Sequence, residues 1–276
     1  MDLILALLGY AAFAMVSAPL LLTRGRWRMF QPRLALAAWN GAFLSGLAAL
    51  ALSLLLTLSL AMGFLQRNGS GGAGFEASAV VLGAWGSLGG FGVLSALVFT
   101  KAEPLNQGRR HTYEQLALIA AIGRYRTGDC RGVPVVFVDC AMPIATGIPG
   151  EDAQIVIAST IEEALSPAEL DAVIAHEHAH LRMHHAWIAQ LAHLNAVCLP
   201  WLRGAREFER ATRLLIELIA DDQAMRLCGP AAVRGALRTV GNLVEDEAML
   251  LRAQRAESAH ARRKLIGARL DRILQV

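Results

Sequence analysis

His176-Glu177-His178-Ala179-His180 is an HExxH sequence. Two histidines four residues apart share one face of an α-helix, about 6 Å apart along its axis at roughly 1.5 Å per residue. Their imidazoles can converge on one zinc ion, and Glu177, beside the first of them, can serve as general base toward a water at that ion. Zinc lowers the pKa of water from about 15.7 toward about 7, so the chemistry within reach is hydrolysis. His178 faces away from the metal and reads as a supporting or surface residue. His184, one turn beyond His180, reads as solvated or hydrogen-bonded rather than ligating.

Zinc needs a third protein ligand. Glu217 and Asp221 are four apart in a helical stretch from about Ala205 to Leu227, hence on one face. Alone, such a pair reads as a solvated acidic face. Beside an HExxH, Glu217 reads as the ligand and Asp221 as the group that hydrogen-bonds a ligating histidine. Asp222 points elsewhere. The expected cofactor is one zinc ion per chain; a His₂Glu set with an open position makes other divalent ions poorer candidates.

Certain elements must position these groups. Ser166 with Glu169 is a capping box with Pro167 at the first helical position, opening a helix that runs to about His184. Leu170, Val173 and Ile174 mark its buried side. Ser159 with Glu162 is a second capping box, for a short helix. Val133 to Asp139 and Gln154 to Ala158 are apolar and β-branched, so they read as buried strands. Pro143 to Gly150 reads as a short edge strand or turn. A polar linker over Pro104 to Thr112 precedes a helix over Tyr113 to Tyr125. Gly229-Pro230 ends the Glu217 helix and starts another, to about Arg252. A last helix covers about His260 to Leu274; within it His260 and Arg272 are candidate oxyanion donors, and Arg262, Arg263 and Lys264 read as a solvated face.

The composition is unlike that of an ordinary soluble enzyme: 55% apolar, 18% charged, mean hydropathy +0.42. Three runs are long enough for a bilayer, which needs about 20 residues. They lie at about 3–22, 41–64 and 79–99. Only Asp2 precedes the first, which argues for an anchor rather than a signal peptide. Arg24, Arg26, Arg28 and Arg33 follow the first run, and Lys101, Arg109 and Arg110 follow the third. The Gln66–Ser78 loop is rich in Gly and Ser. Basic loops stay in the cytoplasm, which puts the N-terminus outside and the rest of the chain inside. The expected division is a membrane domain over 1–100 and a catalytic domain over 101–276. Trp187 to Leu202 is apolar, but a fourth crossing would separate Glu217 from the HExxH. It therefore reads as one arm of a buried or membrane-dipping hairpin that turns near Pro200 to Gly204. No face is strongly basic, so direct nucleic-acid binding is not expected. The four cysteines form no CxxC pair and read as buried thiols.

The stretch Ala145 to Ala224 resembles the membrane zinc peptidases of the BlaR/MecR antirepressor family and the related HtpX and CAAX-protease families. The residues that carry the likeness are Ala145-Thr146-Gly147, then Ser166-Pro167-Ala168-Glu169-Leu170, then Ala175 with the HExxH, then Glu217 to Asp221. The three preceding apolar runs fit BlaR/MecR better than HtpX. The resemblance implies a mainly α chain with three N-terminal transmembrane helices and a cytoplasmic α+β gluzincin-type zinc peptidase domain with a small sheet, in a bacterial plasma membrane. It implies zinc on His176, His180 and Glu217, with Glu177 catalytic. It also implies that Ala145, Thr146 and Gly147 pair with an extended peptide substrate by strand addition. BlaR and MecR carry a penicillin-binding sensor; none is expected here, which makes the chain resemble the short sensorless members and makes a BlaI-type repressor the implied partner. The alternatives are an HtpX-like quality-control protease and a zinc-bound signalling scaffold without turnover.

Overall fold

Val133–Val138 and Gln154–Ala158 are apolar at nearly every position because the sheet they form is covered on both faces. The computed structural model describes residues 2–22, 27–68 and 75–258. Four strands, β1 (Arg124–Cys130), β2 (Val133–Val138), β3 (Ala145–Ile148) and β4 (Gln154–Ala158), lie in the order β1-β2-β4-β3. β2 and β4 run parallel in the centre; β1 and β3 are antiparallel edges. Strand alternation sorts the side chains. Val136, Val138, Val156 and Ala158 meet the end of helix α4 (Phe75–Ile122) through Tyr113, Leu116, Ala117 and Ala120. Val135, Phe137, Ile155 and Ile157 face the main core.

That core is closed by α5 (Ser159–Ala164), α6 (Pro167–Arg182), the end of α8 (Arg203–Cys228), α9 (Pro230–Leu243) and a further helix, α10, over 247–258. The Ser166 capping box is formed: Ser166 N–H donates to Glu169 Oε2 at 2.9 Å. The second box is not. Ser159 is already helical, Ala158 occupies the cap, and Ser159 Oγ accepts from Cys140 N–H while Glu162 pairs with Tyr125 and Arg126. A strand that feeds straight into a helix leaves no turn for the serine to cap.

Three further expectations are corrected. No linker separates Pro104 from Thr112, since α4 continues through Pro104. Side chains one turn apart support it there, with Gln107 donating to Glu103 at 2.8 Å and Thr112 to the Gly108 carbonyl at 3.0 Å. Residues 124 and 125 belong to β1, not to a helix. The helix after Pro230 breaks at Val244–Asp246, where Glu245 has φ +56° and Asp246 Oδ1 accepts from Ala248 N–H at 2.8 Å to start α10.

Contacts divide the chain into two compact units. The unit above comprises Gly108–Ala189 and the chain from Ile216 onward. The other takes the chain up to Gln107 together with Gln190–Leu215, so the 190–215 arm groups with the N-terminal helices and not with the rest of 101–276. In it, α1 (Asp2–Leu22), α3 (Pro32–Asn68) and α4 include three stretches long and apolar enough to cross a membrane; a short turn, α2 (Trp27–Phe30), precedes α3. Phe13, Leu55, Trp85 and Phe99 are exposed on them, as lipid-facing side chains would be. The arm is a hairpin of α7 (His185–Cys198) and the start of α8, as expected, and at 14 residues α7 is too short to cross. Phe208 stacks on Phe43 with centroids 5.2 Å apart, and Gly204 sits so close to α1 that an added Cβ would stand 3.0 Å from the Met15 carbonyl. All four cysteines are free; only Cys198 is fully buried. Arg24 and Arg26, residues 69–74 of the Gly/Ser loop, and the expected helix with His260, Arg262, Arg263, Lys264 and Arg272 lie outside the described residues.

Candidate metal centre

The α6 helix presents His176 and His180 on one face, with their Nε2 atoms 3.0 Å apart. The α8 helix brings Glu217 to them: Oε2 lies 3.4 Å from His176 Nε2 and Oε1 3.5 Å from His180 Nε2. Among the described residues these three form the group that can hold a metal ion. A tetrahedral ion with ligand bonds of about 2.0–2.1 Å separates its donors by about 3.3 Å; the set fits zinc in donor type, and each histidine has one carboxylate oxygen near that distance.

The other ring nitrogens are held as well. His176 Nδ1 is 3.1 Å from Asp221 Oδ1, the pairing the Glu217–Asp221 spacing predicts. His180 Nδ1 is 3.1 Å from the Nδ1 of His185, which is buried and stands edge-on to the His180 ring. His184 is exposed, at φ +52° in the turn after α6, and the residue after it points inward. His178 is buried, which removes the surface reading; burial, with Arg131 and Arg182 nearby, lowers its pKa.

Two further contacts were not anticipated. Gly147 N–H donates to Glu177 Oε2 at 3.0 Å. Arg252, from α10, reaches Glu217 and Asp221 together, with Nη1 2.7 Å from Glu217 Oε2 and Nη2 2.7 Å from Asp221 Oδ1. Asp222 points away and pairs with Arg255 at 2.7 Å, as expected of it.

This packing sets the protonation states. Burial raises the Glu177 carboxyl to about 7, with positive His176 opposing and Glu217 reinforcing the shift. Burial would lower His176, but its hydrogen bonds with Asp221 and Glu217 prevail and push it up to about 10. Burial and the charge on His176 hold His180 neutral, down at about 3. Burial would raise Glu217, yet the His176 hydrogen bond and the charges of His176 and Arg252 take it down to about 2.

The group opens on a cleft of ≈ 620 Å³ whose walls include Tyr113, Ala145, Thr146, Gly147, Leu181, Val233, Leu237 and Met249. β3 forms one rim. The Ile144 carbonyl accepts from Ala158 N–H at 2.8 Å. By the period of two in an antiparallel ladder, Ala145 and Gly147 turn their backbone groups away from β4. A Cβ at Gly147 would stand 2.8 Å from Leu181 Cγ, so a larger residue there must displace Leu181 or the strand.

Residues 144–250, less than half of the chain, match the family model described as Peptidase family M48. The match takes in the HExxH, Glu217 and Asp221. It supports the M48 metallopeptidase family, whose members are zinc metallopeptidases, and so points to a metallopeptidase. No curated protein and no solved structure matches the chain.

Proposed function

We propose that the chain is an integral-membrane zinc endopeptidase that hydrolyses peptide bonds at the cytoplasmic membrane face. One observation carries this reading: the Nε2 atoms of His176 and His180 and the Glu217 carboxylate gather within reach of one metal ion beside the half-buried Glu177. His176, His180 and Glu217 would hold the ion, which, when bound, acts as a Lewis acid and lowers the pKa of water. Glu177 takes a proton from the attacking water and passes it to the leaving amine. Gly147 N–H aims one carboxylate oxygen, and Asp221 fixes the His176 ring. The outward backbone groups of Ala145 and the outward carbonyl of Gly147 are placed to pair with an extended peptide, with Thr146 between them.

The basic residues after the first and third apolar segments support the cytoplasmic placement of the site and an external N-terminus. The likeness to short BlaR/MecR-type proteins makes a BlaI-type repressor the first substrate to try. An HtpX-like protease would instead degrade unfolded membrane proteins without preference for the repressor.

The test is zinc content and peptide cleavage by the detergent-purified chain and its Glu177→Gln variant. About one zinc in each, with cleavage reduced about 10²–10⁴-fold in the variant, is expected. Undiminished cleavage by the variant overturns the mechanism. Full biological function of Glu177→Ala would favour the scaffold.

A further inference from the structure

Asp221 is a nearly inaccessible carboxylate, its side chain 2% exposed, on the same helical face as Glu217. Like charges so placed repel, and burial makes the repulsion stronger. Arg252 lies against both. Besides its two Nη contacts, its Nε donates to Asp221 Oδ2 at 2.8 Å, so Asp221 is gripped through both oxygens and Glu217 through one. The Arg252 side chain is itself 10% exposed and borders the cleft. A planar fork of this kind fixes carboxylates in direction as well as in charge. Asp221 Oδ1 also meets His176 Nδ1. One side chain therefore bears directly on Glu217 and, through Asp221, on His176.

The charges of the loaded site close only when Arg252 is counted. Glu177, Glu217 and Asp221 bring three negative charges, and a divalent ion brings two positive. An unbalanced charge among partly buried carboxylates is unfavourable or shifts a proton. Arg252 supplies the missing positive charge and, unlike lysine, stays ionised when buried.

We infer that Arg252 is a positioning residue of the metal centre, holding the Glu217 and Asp221 carboxylates in place and balancing the charge of the loaded site. This rests on the metallopeptidase reading. Arg252 lies beyond the end of the matched segment, so the family match does not bear on it. Arg255 offers a comparison within the same helix. It bridges α10 to Asp222 of α8 at the same 2.7 Å, and Asp222 lies on a different face of α8 from Glu217 and Asp221.

The experiment takes the full chain in detergent as wild type, Arg252→Gln, Arg252→Lys and Arg255→Gln. Zinc affinity is read by chelator competition, ligand geometry by the absorption spectrum of the Co²⁺-loaded protein, and turnover as kcat and KM separately. Arg252→Gln is expected to weaken zinc binding about 10–100-fold, alter the Co²⁺ spectrum and lower kcat more than it raises KM. Arg252→Lys should recover part of each. Arg255→Gln should lower the melting temperature and leave zinc affinity and spectrum as they were. Wild-type affinity and spectrum in Arg252→Gln would overturn the inference, as would an equal loss of zinc in Arg255→Gln. If Arg252→Gln does not fold, Arg252→Lys decides: a zinc affinity and spectrum like those of Arg255→Gln would sink the proposal. Zinc binding without peptide cleavage in the wild type would remove the peptidase reading, while affinity and spectrum still judged Arg252. A wild type that takes no zinc would remove both.

Discussion

Gly147 and Glu177 stand thirty residues apart in the chain, yet the Gly147 N–H donates to Glu177 Oε2 at 3.0 Å. An edge strand thereby aims the carboxylate of a helix. The contact depends on close approach, since Leu181 occupies the space a Cβ at 147 would need. Gly147→Ala must push back either Leu181 or the strand. A misplacement near 1 Å can cost about 10²-fold in rate, so kcat should fall by about that factor while zinc content stays near one per chain. Unchanged kcat would mean that the hydrogen bond does not orient Glu177.

Metal uptake should release a proton at mildly alkaline pH. Without metal, His176 stays protonated up to about pH 10, whereas His180 and Glu217, at about 3 and 2, have already lost theirs. A ligating imidazole must be neutral. At pH 8 zinc should therefore displace about one proton, and its apparent affinity should rise about tenfold per pH unit until pH 10. Calorimetry in two buffers of different ionisation heat measures this. Asp221→Asn, which removes the first hydrogen bond that raises His176, should bring the release below one. Zero protons in the wild type would exclude a charged His176.

The same shifts predict how the metal-free protein responds to pH. A folded-state pKa raised for His176 stabilises the fold below the unfolded value near 6.5, and that contribution is lost as pH climbs through about 10. The depressed value of Glu217 works at the other end. Its contribution is present above about 4.5 and is lost as pH falls through about 2. Melting temperature against pH, with chelator present, should decline toward both limits. A His176→Gln variant that kept the alkaline limb unchanged would contradict the assignment.

His185 should support zinc binding through His180. Its ring is buried, and its Nδ1 lies 3.1 Å from the His180 Nδ1. His185→Ala is expected to weaken zinc about 10–100-fold, and His185→Asn, which can still accept a hydrogen bond, to weaken it less. Equal and undiminished affinity in both would show that the contact does not matter.

Beneath the site, Ile157 is fully buried between sheet and helices. Ile157→Ala should cost about 2–5 kcal/mol, seen as a lower denaturation midpoint of the unit that holds the candidate site. A midpoint shift worth less than about 1 kcal/mol would imply a site able to collapse around the loss.

Local periodicity was enough to read much of this protein. The four-residue spacing of His176 and His180, and of Glu217 and Asp221, puts each pair on one helical face whatever the fold. The apolar β-branched runs of β2 and β4 declare strands buried on both sides, and Ser166 with Glu169 marks a helix start by chemistry contained in four residues. Three long apolar runs likewise announce themselves by length. β1 escaped because an exposed edge strand, Arg124–Cys130, carries no apolar alternation. The linker was misread because Pro104 and a polar stretch mimic a break, while side-chain pairs one turn apart keep the helix going.

Other features depended on how the helices and sheet pack. Arg252 is one arginine among 24, and nothing in its neighbours distinguishes it. It reaches Asp221, 31 residues away, because the chain turns at Glu245 and lays α10 against α8. His185 rather than His184 meets His180 because the left-handed turn at His184 sends the next side chain inward. Helical and strand periodicity decide which residues share a face. Which faces meet is decided by long-range burial, and at this site that burial places a guanidinium, an imidazole and a glycine N–H around a candidate metal-binding group already visible in the chain.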